Sequence, residues 1–470
     1  MLILYEAKES EEVSFMCEFR LKELEVYNFR KFEKESYLLN PQMNVFAGKN
    51  GSGKTAMLEA ACVMLGAYLA AFKTYVPSRF VRNIHPEDIH MKVLSTEKQN
   101  VLTTGGIPQY PCYIRCRAAW NHIENGIEFQ RTVIKEDSRT KFDGTNPMQQ
   151  LVVSWEDAIA RADHSDEPIL LPLVLYLSSA RLWNENNAKT GKKGIYNRTE
   201  GYNRCLDTKR GTELAFEYIR RLRDVANEEK DGKSFPAYEA ILQAINIAFQ
   251  EELAPGEQVI ISTRYESDIV ALKNEEGTVL PFSALSDGYR NVIKIILDIA
   301  TRMCILNPYL KGEALKMTPG VVVIDELDLS LHPTWQRRII QILKTLFPKI
   351  QFICATHSPF IIQSLETGEL ITLDRELDSE YSGAGIEDIA EDVMGVEMPQ
   401  FSEKKRQMYE TADDFLKAIK QGKTQEDIEK LGAKLAFLEA NYSDNPAYLA
   451  LIRQKYEFRK WEIKHNETGE

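Results

Sequence analysis

The run Gly48-Lys49-Asn50-Gly51-Ser52-Gly53-Lys54-Thr55 constrains this chain more than any other feature. It fits the spacing G-x-x-x-x-G-K-[ST] and stands between a short apolar run, MNVFAG, and a long one, TAMLEAACVMLGAYLAAF. The first reads as a buried strand feeding a loop. The second reads as a buried helix, because its apolar residues go almost all round. Glycine tolerates positive φ, so successive backbone N–H groups can converge on an anion, and the helix start adds its positive end. In such a loop Gly48, Asn50, Gly51, Ser52, Gly53 and Lys54 cradle the phosphates of ATP, with Lys54 reaching the β- and γ-phosphates. The Thr55 hydroxyl is then placed for Mg2+.

The remaining segments supply the frame that such a loop needs. LKELEVYNFRKF and SYLLN read as strands, and so do CYIRCRAAW and IEFQRTVI, which flank the hairpin signal Glu124-Asn125-Gly126. LPLVLYLSS, GVVVID and QFICAT are apolar without alternation, as strands of a parallel sheet buried on both faces are. VIISTR, DIVALKN and TVLPF return to short strands between 257 and 282. Helices are expected over about 212–228, 236–252, 286–306, from Thr334 onward, over 386–396 and through most of 404–464. Within the last, Thr424-Gln425-Glu426-Asp427 has the form of a capping box. The expectation is an α/β protein: two lobes with a largely parallel core sheet plus antiparallel strands, a helical insertion and a helical C-terminal tail. The expected divisions are a first lobe at 1–180, an insertion with a basic loop at 181–255, a second lobe at 256–385 and a helical region at 386–470. No internal repeat stands out, and no heptad pattern is sustained enough for an extended coiled coil.

Composition narrows the function classes. At roughly 100–200 residues per domain, 470 residues make about two to four structural units. A net charge of −12 argues against a surface that coats nucleic acid everywhere. One basic island remains, 181–210, where Arg181, Lys189, Lys192, Lys193, Arg198, Arg204, Lys209 and Arg210 face only Glu185, Glu200 and Asp207. That island could meet DNA or RNA phosphates, or be a solvated loop. The seven cysteines lack framework spacing, which fits a reducing, cytoplasmic setting. Cys112 and Cys116 share a strand face but lack a second pair for zinc, so packing is their expected role. Trp335, Phe347, Phe352 and Phe360 are likewise expected in the core. No run approaches the roughly 18–20 apolar residues of a membrane span, and the start, MLILYEAKESEE, lacks the basic region of a secretory signal.

Three further segments carry chemistry. Val321-Val322-Val323-Ile324 ends in Asp325 and Glu326, and nucleotide sites form at the carboxyl ends of such strands. There Asp325 would hold Mg2+ and Glu326 would act on the attacking water as general base. Leu285-Ser286-Asp287-Gly288-Tyr289-Arg290 opens a helix, with the Ser286 hydroxyl and the backbone at Gly288 able to donate to an anion. Ala355-Thr356-His357-Ser358-Pro359 follows the next strand, and an imidazole there can hydrogen-bond a γ-phosphate. His332 invites two readings, an interface role or a simple place at a helix start.

In this order, NFRKF, GKNGSGKT, LSDGYR, VVVIDELDLSLHP and ATHSPF resemble the overlapping-ATPase group of ABC-type proteins, close to the chromosome-maintenance and recombination-repair ATPases. The match covers about residues 20–60 and 256–380. LYLSSARLW, GYNRCLD, the short insertion and the C-terminal helices sharpen it toward the AAA-family ATPase subunits of the Septu anti-phage defence system, also found with retrons. The resemblance implies an ATP-sandwich homo-oligomer in which Ser286 and Gly288 of one copy cap ATP held by the other. It further implies a switch role for His357, a place for Arg30 near nucleotide and an HNH nuclease partner. Asp287 departs from the usual glycine, so its side chain should point away from phosphate. A repair ATPase loading on DNA, and a scaffold that senses ATP with little hydrolysis, stand as the alternatives.

Overall fold

The computed structural model describes residues 18–74, 76–92, 106–120, 126–162, 169–179, 197–207, 213–228, 236–251, 257–261, 270–274, 276–373, 383–421, 425–441 and 446–468, with positions 253, 255 and 381. The Thr424 cap, the Glu124-Asn125 turn and most of the basic island (Arg181, Lys189, Lys192, Lys193, Lys209, Arg210) lie outside the described residues. The chain divides into two compact units, Met1–Ile386 and Glu387–Glu470.

In the first unit the strands of the three larger sheets are β1 (Phe19–Phe29), β2 (Phe32–Leu38), β3 (Met43–Ala47), β4 (Cys112–Trp120), β5 (Ile127–Val133), β6 (Lys141–Asp143), β7 (Leu173–Leu177), β8 (Gln258–Ile261), β9 (Val270–Lys273), β10 (Val279–Pro281), β11 (Gly320–Ile324), β12 (Ile350–Ala355) and β13 (Leu370–Thr372). Its α-helices of five or more residues are α1 (Lys54–Ala71), α2 (Asn146–Ala162), α3 (Glu213–Glu228), α4 (Pro236–Phe249), α5 (Asp287–Leu306), α6 (Pro333–Leu346) and α7 (Pro359–Gln363). Sequence reading missed α2.

The core sheet has the order β13-β3-β12-β11-β7, and every pairing in it is parallel. Strands β3, β7, β11 and β12 are buried at every position, as a parallel sheet covered on both faces requires. Register sets which segments meet at the strand ends. Ile324 lies beside Leu177 on one side and Cys354 on the other, and Ala355 lies beside Phe46. The phosphate-loop run, the acidic pair and the Thr356-His357 pair therefore all leave one edge of the sheet. A second sheet, antiparallel, has the order β2-β1-β4-β5-β6, and the alternating burial of β1 is what one buried face imposes. A third is the antiparallel ribbon β8-β9-β10. The expected parallel sheet with added antiparallel strands is thus observed, and one continuous core runs through it from Phe19 to Leu365.

Helix α1 corrects the membrane arithmetic. Its 18 residues have a mean hydropathy of 1.3, enough in length and composition to cross a bilayer, yet 83% of it is buried inside this unit. It is a core helix. Arg131 of β5, fully buried, holds it by donating to the carbonyls of Val63 and Arg82 at 2.8 Å. Burial and the nearby Arg82 charge push the Arg131 guanidinium down to about 9. Gly66 admits this contact, since a Cβ there would stand 2.7 Å from the Arg82 carbonyl oxygen.

Arg198, in the described part of the basic island, is structural. Arg198 donates to the carbonyl of Leu306 at 2.7 Å and to Ile169, tying the chain to the end of α5. Arg302 of α5 returns the tie, donating to the carbonyls of Gly201 and Asn203 at 2.8 and 3.0 Å. Cys112 and Cys116 pack in the core, where burial raises the Cys112 thiol to about 12.

The second unit contains α8 (Ile386–Asp392, which begins at the division), α9 (Glu403–Gln421), α10 (Gln425–Asn441) and α11 (Pro446–Thr468). The last three enclose a core of their own, built on Phe415, Leu438, Ile452 and Tyr456.

Candidate functional site

The loop between β3 and α1 needs three glycines for its shape: Gly48, Gly51 and Gly53 have φ of 147°, 77° and 100°. Gly53 answers a second demand as well. A Cβ there would stand 2.4 Å from the ring of Phe32, the last residue of the NFRKF run. Lys54 is buried to 6% exposure and turns its ammonium inward, donating to the carbonyls of Gly48 and Lys49 at 2.8 and 3.0 Å. Lys31 closes the outside of the loop, donating to the Gly51 carbonyl at 3.3 Å.

Thr55 is the second residue of α1 and faces Asp325. Its hydroxyl oxygen lies 3.5 and 3.4 Å from the two carboxylate oxygens of Asp325. The carboxylate is held in place because the Asp325 N–H donates to the Leu177 carbonyl at 2.9 Å, which extends the β7–β11 pairing by one residue. A hydroxyl and a buried carboxylate are the hard oxygen donors that Mg2+ takes, and no sulfur or nitrogen competes in the pair. Among the described residues no cluster of three or more His, Cys, Asp or Glu side chains forms a metal-binding group.

After Asp325 the chain turns sharply, with Glu326 at φ 49° and Ser330 at φ 59°. Positive φ at Glu326 is rare for a non-glycine residue. Asp328 is a residue that sequence reading passed over. Its carboxylate accepts from the Thr356 hydroxyl at 2.5 Å and from the His357 N–H at 3.0 Å, locking the two strand-end segments together. The signal was present as the third acid in Asp325-Glu326-Leu327-Asp328. Desolvation and the Lys54 charge lower the His357 imidazole below its ordinary value, while Asp328 and Glu326 pull it up. The ring therefore sits within electrostatic reach of the loop lysine and of both acids, and is neutral at neutral pH.

Ser286 caps α5, its hydroxyl accepting from the Tyr289 N–H at 3.4 Å. Ser286 is exposed, and Asp287 turns to Arg290 in an ion pair. Gly288 packs on the loop after β11: a Cβ there would stand 2.9 Å from the Ser330 carbonyl oxygen. Asn291 fastens the same loop by donating to the Leu329 carbonyl at 2.7 Å. The loop from Asp325 to Leu331 thus touches Thr55 at one end and the start of α5 at the other. His332 caps α6 and accepts from the Thr334 N–H at 3.4 Å, which is the simpler of its two expected roles. Arg30, at φ 52°, is turned to Asp88 and Glu59, with nitrogen–oxygen distances of 2.9 and 3.1 Å. Its guanidinium joins Arg82 in a cluster beside α1.

Comparison with known proteins fits this arrangement. The profile of a family described as "AAA domain" matches residues 23–253. Another, described as "AAA domain, putative AbiEii toxin, Type IV TA system", matches 164–363. Over 407 residues the chain is 25% identical to the "Retron Vc95 probable ATPase" of Vibrio cholerae, covering 77% of this chain and 74% of that protein. It is 23% identical to the "Retron Ec83 probable ATPase" of Escherichia coli, covering 94% of this chain and 88% of that protein. It is 32% identical to the "Septu protein PtuA" of Bacillus thuringiensis over 164 residues, covering 32% and 39%.

Proposed function

The chain is a homologue of proteins named as retron ATPases and as Septu PtuA, with AAA-domain sequence over its first unit, and on that premise we propose that it binds and hydrolyses ATP as the regulatory subunit of an anti-phage defence complex. The observation that carries this reading is the shared sheet edge: Thr55 and Asp325 face each other across 3.4 Å, beside Lys54 and within reach of Glu326 and His357.

The loop amides and Lys54 bind and orient the triphosphate. Thr55 and Asp325 would hold Mg2+, which when bound supplies charge to offset the phosphate oxygens. Glu326 takes a proton from a water as its oxygen bonds to the γ-phosphorus, and the bond from that phosphorus to the bridging oxygen breaks to release ADP. Neutral His357 hydrogen-bonds the γ-phosphate, its backbone fixed by Asp328. Ser286 and Gly288 of a second copy complete the site, which supports an ATP-dependent sandwich of two chains. Formation and loosening of that sandwich would gate a partner HNH nuclease.

The test combines two variants. Lys54→Ala should lose ATP binding, whereas Glu326→Gln should retain it, accumulate as an ATP-bound dimer and turn over at least about 100-fold more slowly. Equal turnover in wild type and Glu326→Gln would replace this reading with that of a sensing scaffold. Co-expression with the product of the adjacent reading frame tests the partner: a stable complex with an HNH protein is expected, and its absence removes that part.

A further inference from the structure

Helix α11 has two faces. Leu449, Ile452, Tyr456 and Ile463 point into the core of the second unit. Turned about half a circle away, at the 3–4 spacing of a coiled-coil seam, lie Leu451, Gln454, Phe458, Trp461 and His465. Leu451, Phe458 and Trp461 are 45%, 63% and 56% exposed. The aromatic ones are ordered against each other: Phe458 and Trp461 ring centroids are 6.2 Å apart, and Trp461 and His465 are 4.3 Å apart. A lone exposed aromatic needs no explanation, but an aligned stripe opposite the core face does.

We propose that this stripe is a self-association surface, on which α11 of a second copy of this chain docks antiparallel about a two-fold axis. The charges beside the stripe select that occupant and that direction. Placing Phe458 against the partner's Trp461 sets Gln454 against the partner's His465. The same register brings Glu457 opposite the partner's Lys464 and Lys455 opposite the partner's Glu462. Two-fold symmetry repeats each pairing, so all four flanking contacts join opposite charges. A parallel pairing in register would oppose Phe458 to the partner's Phe458 and lose this match. The surface lies on the second unit and is independent of nucleotide. Together with an ATP-dependent sandwich it would link chains into assemblies larger than a dimer.

The test uses the full chain carrying Lys54→Ala, without nucleotide, in sedimentation velocity. A dimer is expected. Phe458→Asp with Trp461→Asp should weaken it at least about 30-fold, with the helical circular dichroism kept. Because that variant could fail to fold, the charges give a second arm. Glu457→Lys alone should weaken the dimer, and Glu457→Lys with Lys464→Glu should restore it. Mixing tagged Phe458→Cys with untagged Trp461→Cys should trap the mixed disulfide in preference to either like pair. A monomeric parent chain, a dimer indifferent to both arms, or preferential Phe458→Cys self-linking would each overturn the proposal. So would a stripe covered only by a different protein.

Discussion

At Asp325 the loop leaving β11 is buried and meets Thr55, a residue from the other end of the chain's first unit. At Ser330 the same loop meets the backbone of Gly288, and beside it Ser286 stands exposed. One end is a closed set of polar contacts made within one chain. The other is a prepared helix start whose hydroxyl faces solvent. The difference teaches that the acidic strand end can be assembled by folding alone, while the α5 start gains its chemistry only when something is brought to it. Substitutions at the two ends should therefore separate binding from turnover.

Gly53→Ala should have the largest effect. Its φ of 100° is one that side chains rarely adopt, and the added Cβ would meet the Phe32 ring at 2.4 Å. Backbone strain costs roughly 1–3 kcal/mol, and relieving it must distort the loop. ATP affinity measured by calorimetry should fall at least about 100-fold. Unchanged affinity would mean that the loop's shape does not set binding.

Gly288→Val addresses the other end. The new side chain would press on the Ser330 carbonyl from 2.9 Å and lift α5 from the loop. ATP affinity of the single chain should stay within about twofold, because no phosphate-loop residue is touched, while turnover falls by at least about tenfold. Parallel losses of binding and turnover would show that the two ends are not separable.

Asp328→Ala should be milder. It removes the acceptor of the Thr356 hydroxyl and the His357 N–H, so kcat should fall about tenfold with KM little changed. It also has a pH signature. In the parent chain desolvation and Lys54 lower the His357 imidazole, so turnover that needs the neutral ring is lost only below the usual range near 6.5. Asp328 is one of the groups pulling that value up, so its removal should shift the acid limb to still lower pH. A shift upward would contradict this placement of the ring.

How much of the fold and site was legible in the sequence depends on what each residue type can report. The glycines at 48, 51 and 53 announced their backbone, and GVVVID announced a buried strand with its acids, because spacing and apolar runs are local signals. The hydrogen bonds of Asp328 were not legible, since they join segments 28 and 29 positions apart. Nor was the tie between Arg302 and the Gly201 carbonyl, across 101 positions. The burial of the apolar helix α1 was legible in its composition, but what buries it came from sheets assembled across the whole first unit. The exposed stripe on α11 was hidden by the same rule: two apolar faces on one helix read as no face at all.

Arg30→Met is expected to have the smallest effect, and it separates the two ends from a third direction. The resemblance places Arg30 near nucleotide, yet its guanidinium is turned to Asp88 and Glu59. Both carboxylates also pair with Arg82, at 2.9 and 2.5 Å, so neither is left alone when Arg30 loses its charge. Removing one arginine from such a shared cluster should cost about 1 kcal/mol of stability, well short of breaking a buried pair outright. ATP affinity should change by less than about threefold, because the phosphate loop, Lys54 and Asp325 keep all their contacts. A melting curve and a binding isotherm on the same sample read both. If affinity falls tenfold while stability holds, Arg30 leaves its cluster to reach the phosphate chain, and the closed end of the site is less complete in one chain than its contacts make it.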